Sequence, residues 1–233
     1  MGYSERVTSS NTPSSSSSSG RTVPDDARRP APGHHPKWLA HVLRPINRRY
    51  GTYRGLIRLW LTHVLLALGS RPTLTRIETG TVRRVVFVCQ GNICRSPFAE
   101  MMARRLGMRA TSAGLATEAG GPAFPLAVET AGSFGIDLKA HRTRDIEHFR
   151  LEPGDLILAM ELRQLRRLRA ALEGKPVQLS LLGLWAPQPH PHIHDPHRLN
   201  AEYFETCFAV ITASVQGLAL RLRDAPVCGR TGS

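Results

Sequence analysis

The stretch VVFVCQGNICRSPFAE at residues 85–100 constrains this chain more than any other. A β-branched apolar run ends at Cys89, a short loop leads to Arg95, and SPFAEMMARRLG at 96–107 reads as a helix opened by Pro97. Pro97 suits its first turn and Gly107 the position past its last. A strand feeding a helix through so short a loop starts a parallel α/β sheet, and later runs continue the pattern. Residues 108–114, 155–160 and 177–182 read as further strands, and helices are expected within 122–135, over 161–174 and over 201–224. The order predicts a four-stranded parallel twisted sheet flanked by helices on both faces. Ligands are then expected beyond the carboxyl ends of the strands, where Cys89 lies.

The loop itself, Gln90, Gly91, Asn92, Ile93 and Cys94, can curl so that its N–H groups point inward, and the following helix adds its positive dipole end. Gly91 and Asn92 suit such a nest because both accept the left-handed backbone conformation. Arg95 can add paired hydrogen bonds to a tetrahedral anion, so the pocket fits phosphate. A thiol set among amide groups beside a guanidinium ionises readily, and a thiolate facing a phosphoryl group is a nucleophile in place. Ser96 can donate a hydrogen bond to that sulfur. A lone buried cysteine at a strand end is ordinarily core filling. The order Cys89, loop, Arg95, Ser96 between strand and helix sets that explanation aside.

The 233 residues exceed one α/β domain of about 150 residues, the commonest size, and the excess has its own character. Residues 1–83 carry 13 basic and 4 acidic side chains, whereas residues 84–233 carry 18 and 14. The first third is therefore suited to an anionic surface, and the remainder is an ordinary globular domain. Residues 1–36, with a serine run at 14–19, are expected to be a disordered tail. Residues 37–80 are expected to form a basic amphipathic helical extension and linker, residues 81–224 the globular domain, and 225–233 a flexible tail. In LIRLWLTHVLLAL, residues 56–68, the side chains of Ile57, Trp60, Leu61, Val64, Leu65 and Leu68 share a helical stripe below Arg54 and Arg58. The run is too short and too interrupted, by Arg58 and His63, for a span of about 20 residues. Packing on the main domain or on a partner is the plainer expectation for the stripe, and an anionic membrane surface the alternative. No nucleic-acid partner is expected. The four cysteines, Cys89, Cys94, Cys207 and Cys228, do not make a disulfide framework, and no secretory or myristoyl signal stands at the start. The expected setting is the cytoplasm, with peripheral membrane attachment through the extension.

VFVCQGNICRSPFAE resembles the signature of the low-molecular-weight protein tyrosine phosphatases. TSAG at 111–114, HRTRDI at 141–146, DLILAM at 155–160, LLGLWAP at 181–187 and DPHRLNAEYFETC at 195–207 follow in that family's order. The likeness covers residues 83–223. It implies the family's fold and a phosphomonoester hydrolase, acting on phosphotyrosine proteins or aryl phosphates through a phosphocysteine, without metal or other cofactor. By the same resemblance Cys89 is the nucleophile, Arg95 the phosphate clamp and Asp195 the general acid. Asn92, Ser96, Ser112 and His141 form the network that holds the loop. Cys94 resembles the second loop cysteine that can pair with an oxidised nucleophile; otherwise it only fills space behind the loop.

Some positions depart from the pattern. His197 and Arg198 follow Asp195-Pro196 where many members carry an aromatic wall, Gln90 stands where an aliphatic residue is common, and residues 114–123 lack an aromatic. Ring stacking is worth about 0.5–1.5 kcal/mol, so its loss bears on substrate choice and not on the chemistry. Phe124 is a candidate replacement. The histidine run at 190–197 is expected to be a solvated loop titrating near pH 6–7 rather than a metal site. An arsenate reductase on the same scaffold is disfavoured, because Cys207 and Cys228 lie in the last helix and the tail. A low-turnover phosphate-binding module is disfavoured by the intact Cys89, Arg95 and Asp195.

Overall fold

Four short apolar runs pair into one sheet in the computed structural model, which describes residues 37–70 and 77–224. They are β1 (Arg84–Cys89), β2 (Ala110–Gly114), β3 (Asp155–Ala159) and β4 (Gln178–Leu181), in the order β2-β1-β3-β4 and all parallel. β2 and β3 are buried at every position and β1 at all but its first, as expected of parallel strands covered on both sides. Between them run α3 (Arg95–Arg105) after β1, α4 (Pro125–Ser133) after β2, α5 (Leu162–Ala171) after β3, and α6 (Ala201–Arg223) after β4. The β1-α3-β2 and β3-α5-β4 crossovers travel in opposite directions along the sheet. Since such crossovers are right-handed, their helices cover opposite faces. This is the architecture expected from the sequence. The helix expected to open near Pro97 begins at Arg95, because the amide that proline lacks would be unpaired within the first turn in any case.

The core on the α3 side is aromatic. Phe98 of α3 stacks on Phe208 of α6 at a centroid separation of 3.9 Å, and Phe134 and Phe204 meet Phe208 edge-on. α6 is apolar and long enough to cross a bilayer, yet half of its most apolar window is buried inside the protein. At the other end of β1, Arg84 grips the fully buried Asp155 through two hydrogen bonds of 2.7 Å, which ties the first residues of β1 and β3 together.

Ahead of the sheet stand α1 (Lys37–Tyr50) and α2 (Tyr53–Leu65), in the same compact unit as the sheet. The expected helix is present, but the buried face differs from the expected one. Gly55, Leu59, Thr62 and, just past the helix, Leu66 turn inward. Ile57, Trp60, Leu61, Leu65 and Leu68 point to solvent, with Trp60 64% and Leu68 79% exposed. Small side chains explain the choice: Gly55 and Thr62 let the helix axis approach the domain, where the bulkier stripe would hold it away. The expected tails at 1–36 and 225–233, and the middle of the expected linker, lie outside the described residues.

Replacing Phe208 by Ala is expected to cost about 3–5 kcal/mol, the usual toll for emptying a buried aromatic site. Trp60→Ala should stay within about 0.5 kcal/mol of wild type. Urea unfolding of the two variants checks both values.

Candidate active site

Cys89 ends β1, and its carbonyl and that of Gln90 accept hydrogen bonds from Leu115 and Ala116, 3.0 and 2.9 Å away. The carbonyl of Ile93 accepts one from Phe124 at 2.9 Å. The chain leaving β2 thus takes up carbonyls of this segment, while the Asn92 N–H turns toward Cys89 Sγ. Asn92 alone in this loop takes a left-handed conformation, with φ at 51°. Gly91, expected to share that duty, has no positive φ, so one turn at Asn92 suffices to curl the loop.

Asn92 is buried, and every polar group of its side chain is paired. Its Nδ2 donates to Ser96 Oγ (2.9 Å) and Ser112 Oγ (2.8 Å), and its Oδ1 accepts from the Arg144 N–H (2.9 Å). Its carbonyl accepts from His141 Nε2 at 2.7 Å, which identifies the protonated ring nitrogen of a neutral imidazole. Burial pushes the His141 pKa down, against the opposing pull of that hydrogen bond. The Ser112 hydroxyl in turn donates a hydrogen bond to the buried Glu100 Oε2 at 2.6 Å. Gly114 lies against this hub, where a Cβ would stand 3.1 Å from Asn92 Cβ and 2.6 Å from Thr117 Cγ2.

Two donors converge on Cys89 Sγ. The Asn92 N–H lies 3.3 Å away and Ser96 Oγ 3.0 Å away. Because Asn92 Nδ2 already donates into Ser96 Oγ, the hydroxyl proton is free to point at the sulfur. Cys94, the N-cap of α3, is buried, and its thiol is pushed up by burial and by neighbouring Cys89.

Arg95 is fully buried. Its Nη1 donates to Glu161 Oε1 and to the Ile193 carbonyl, both at 2.8 Å, and its Nη2 lies 2.6 Å from Asp195 Oδ2 as an ion pair without an aligned hydrogen bond. Burial opposes its charge, but Asp195 and Glu161 outweigh burial and hold it as a cation. Burial alone would push Glu161 up; the Arg95 charge and hydrogen bonds from Arg163 and Arg95 overcome it and hold the carboxyl at about 2. Asp195 stays partly exposed and accepts the His197 N–H at 3.2 Å. The structure therefore brings Cys89, Asn92, Arg95, Ser96, Ser112, His141 and Asp195 into one connected site. Glu161 and Glu100, which anchor it, were not among the expected residues. The signal for Glu161 was a carboxylate directly after the third strand, at the end where sites form.

Phe124 meets the His197 ring edge-on at 4.9 Å, so an aromatic surface flanks the loop without the usual residue after Asp195-Pro196. The histidine run is not solvated. His192 is 4% exposed, and burial pushes His190 and His192 down to about 4, below the expected pH 6–7, and also lowers His194. Among the described residues no group of three or more His, Cys, Asp or Glu side chains is placed to hold a metal ion.

The family model for low molecular weight phosphotyrosine protein phosphatases matches residues 84–226. The chain belongs to that family. It is 34% identical over 144 residues to the probable low molecular weight protein-tyrosine-phosphatase EpsP of Ralstonia solanacearum, covering 61% of this chain and 97% of EpsP. It is 32% identical to the phosphatase Etp of Escherichia coli, over 59% of this chain and 93% of Etp. Among solved structures, Vibrio vulnificus Wzb in complex with benzylphosphonate has a TM-score of 0.53 at 29% identity, covering 60% of this chain and 99% of Wzb. The YwlE arginine phosphatase of Geobacillus stearothermophilus has a TM-score of 0.54 at 25% identity, over 60% and 93% of the two chains. These phosphatases align with the sheet domain, and α1 and α2 stand outside the family match.

Glu161→Gln is expected to lower stability by about 3–5 kcal/mol at neutral pH, because it strips a buried cation of a partner. The folded carboxyl sits at about 2 against an ordinary 4.5. The difference from wild type should therefore be full above the ordinary value and vanish as pH falls through the folded one. Urea midpoints measured from pH 7 to pH 3 should show the difference constant down to about the ordinary value and narrowing steadily below it.

Proposed function

We propose that this phosphatase hydrolyses phosphotyrosine in proteins, or related aryl phosphates, through a phosphocysteine at Cys89 and without a metal. The observation that carries the reading is the convergence of the Asn92 N–H and Ser96 hydroxyl on one sulfur beside the buried Arg95 cation. In Arg95, Nη1 is spent on Glu161 and Ile193 and Nη2 is ion-paired with Asp195, so a phosphate dianion takes Nε and displaces Asp195 from Nη2.

In the first step the Cys89 sulfur attacks phosphorus, the S–P bond forms, and the P–O bond to the aryl group breaks. Asp195, protonated, gives its proton to the departing phenolate. In the second step Asp195, now the base, takes a proton from water as the water oxygen attacks phosphorus. The S–P bond breaks, inorganic phosphate leaves, and the Ser96 hydroxyl stabilises the released thiolate. The amides of the 90–94 loop and the guanidinium supply the positive field for the transition state. Cys94 belongs to the same reading as the thiol that captures an oxidised Cys89. Phe124 and His197 provide the flank for an aryl ring, which favours phosphotyrosine over the phosphoarginine named for the YwlE neighbour.

The reading sets the enzyme in the cytoplasm and includes attachment of its extension to an anionic membrane. Ile57, Trp60, Leu61, Leu65 and Leu68 are exposed on or just past one helix, with exposed Arg54 and Arg58 on the same helix and Arg48 and Arg49 at the end of α1. An apolar stripe bordered by cations suits the boundary of anionic headgroups and acyl chains.

Hydrolysis of p-nitrophenyl phosphate in metal-free buffer should vanish in Cys89→Ser and fall by about 10²–10⁴ in Asp195→Ala. A phosphotyrosine peptide should be cleaved faster than a phosphoarginine peptide; full activity in Cys89→Ser refutes the mechanism. The full chain should co-sediment with phosphatidylglycerol vesicles and not with phosphatidylcholine vesicles, and the double variant Trp60→Glu, Leu68→Glu should lose that binding. Equal pelleting of variant and wild type removes the membrane from the account.

A further inference from the structure

The corner between α1 and α2 sits on the residue that precedes Asp195. Gly51, at φ +76°, approaches so closely that a Cβ there would stand 2.6 Å from His194 Cδ2 and 2.8 Å from Tyr203 Cε1. A Cβ on Gly55 would stand 3.1 Å from His194 Cγ and would meet the Tyr50 carbonyl. Between these glycines Thr52 caps α2, its Oγ1 accepting the Gly55 N–H at 3.0 Å, and the same oxygen lies 3.3 Å from His194 Nε2. Since Oγ1 is already an acceptor toward Gly55, its proton is free for the imidazole nitrogen. About two helix turns beyond Gly55, His63 Nε2 lies 3.3 Å from the Pro189 carbonyl, at the start of the same loop.

The inner side of this loop is held by the domain. Ile193 donates its N–H to the Met160 carbonyl at 3.0 Å and offers its own carbonyl to Arg95, and the Tyr203 hydroxyl donates to the His194 carbonyl at 3.4 Å. The His194 ring is held from outside, by the extension. Among the described residues, the Asp195 carboxylate has one hydrogen bond within its own loop, from the His197 N–H, and its ion pair to Arg95. Its placement therefore depends on how firmly residues 193–194 are held.

We propose that the α1–α2 corner is a positioning element of the active site, in which Gly51 and Thr52 fix the His194 ring and thereby aim the Asp195 carboxyl at the leaving-group oxygen. The proposal rests on the reading of Asp195 as general acid. A proton donor works only within hydrogen-bond reach of the atom it protonates, and displacement by an ångström can forfeit much of its contribution. The Cys89 sulfur is met by Asn92 and Ser96, and the Arg95 clamp is anchored on Glu161 and on the Ile193 carbonyl, whose own N–H is tied to Met160, so both keep domain contacts that do not run through the His194 ring. Loosening the corner should thus weaken leaving-group protonation and spare phosphate binding.

The test uses the full-length chain with Thr52→Ala, Thr52→Ser and Gly51→Ala, and compares phenyl phosphate, whose leaving group needs a proton, with 2,4-dinitrophenyl phosphate, whose leaving group does not. Thr52→Ala and Gly51→Ala should lower kcat/KM for phenyl phosphate about tenfold, a part of the acid's whole worth. For the dinitrophenyl ester kcat/KM should stay within about twofold, as should inhibition by inorganic phosphate. Thr52→Ser, which keeps both the cap and the hydroxyl, should restore the wild-type ratio, and in an Asp195→Ala background Thr52→Ala should change neither ester. An equal loss on both esters, or an undiminished effect of Thr52→Ala without Asp195, makes the corner merely structural and overturns the proposal. A wild-type ratio in Thr52→Ala overturns it as well, and that variant decides the matter should Gly51→Ala not fold. If Asp195→Ala itself leaves the ester ratio unchanged, the assignment of the acid fails, and this inference fails with it.

Discussion

The burial of one guanidinium governs this active site. Taking an ion from water costs several kcal/mol even after relaxation, and only close, well-aligned partners offset that cost. Arg95 meets Glu161 and the Ile193 carbonyl at 2.8 Å and Asp195 at 2.6 Å, so the groups that compensate it come from just past β3 and from the loop ahead of α6. The residue that begins α3 thereby locks together three segments far apart in sequence. The same contacts leave part of the cation unspent. That asymmetry, Nη1 consumed by buried structure while Nη2 meets a part-exposed carboxylate and Nε makes no hydrogen bond, separates a binding arginine from a purely structural one.

Asn92 does for the loop what Arg95 does for its surroundings. A left-handed residue in a tight turn can relax to an ordinary conformation unless its neighbours hold it, and each polar group of this amide is met by a different element. Ser112 arrives from β2, His141 and Arg144 from the segment after α4, and Ser96 from α3. The geometry around Cys89 is therefore a property of the whole sheet edge, which is why the 90–94 loop can be short and still keep the Asn92 N–H turned toward Cys89 Sγ.

Much of this could be read from the chain alone, because the decisive pattern is local. Strand, loop and helix follow one another within residues 84–105, and the residues that shape the loop are of types with few other reasons to stand there. Features that depend on distant packing were hidden. Gly91 looked like the left-handed residue because glycine tolerates that region most easily, but the hydrogen bonds that enforce it converge on Asn92. The histidines of 190–197 looked solvated because their neighbours in sequence are prolines and polar residues, whereas their neighbours in space include the α1–α2 corner and α6. In α2 the stripe of large apolar residues outweighed Gly55, Leu59 and Thr62 in the pattern, and the smaller set is the one buried.

Residues 186–200 explain how an extension that lies outside the family match can matter to the domain inside it. This stretch joins the 3₁₀ turn at Leu182–Trp185 to α6 without regular structure of its own, and long irregular segments hold their shape only through contacts made along their length. The first such contact is the His190 N–H on the Gly183 carbonyl at 2.7 Å, and the next are those of Ile193 with Met160 and Arg95. His194 carries the loop past these inner anchors toward the acid, and its ring is backed by Thr52 and the glycines beside it. An aromatic residue after Asp195-Pro196 could have braced the far side; His197 instead leans on Phe124. Bracing from α1 and α2 thus falls where the sheet domain's own supports are thinnest, one residue before the carboxyl that must be held to within a fraction of a hydrogen-bond length.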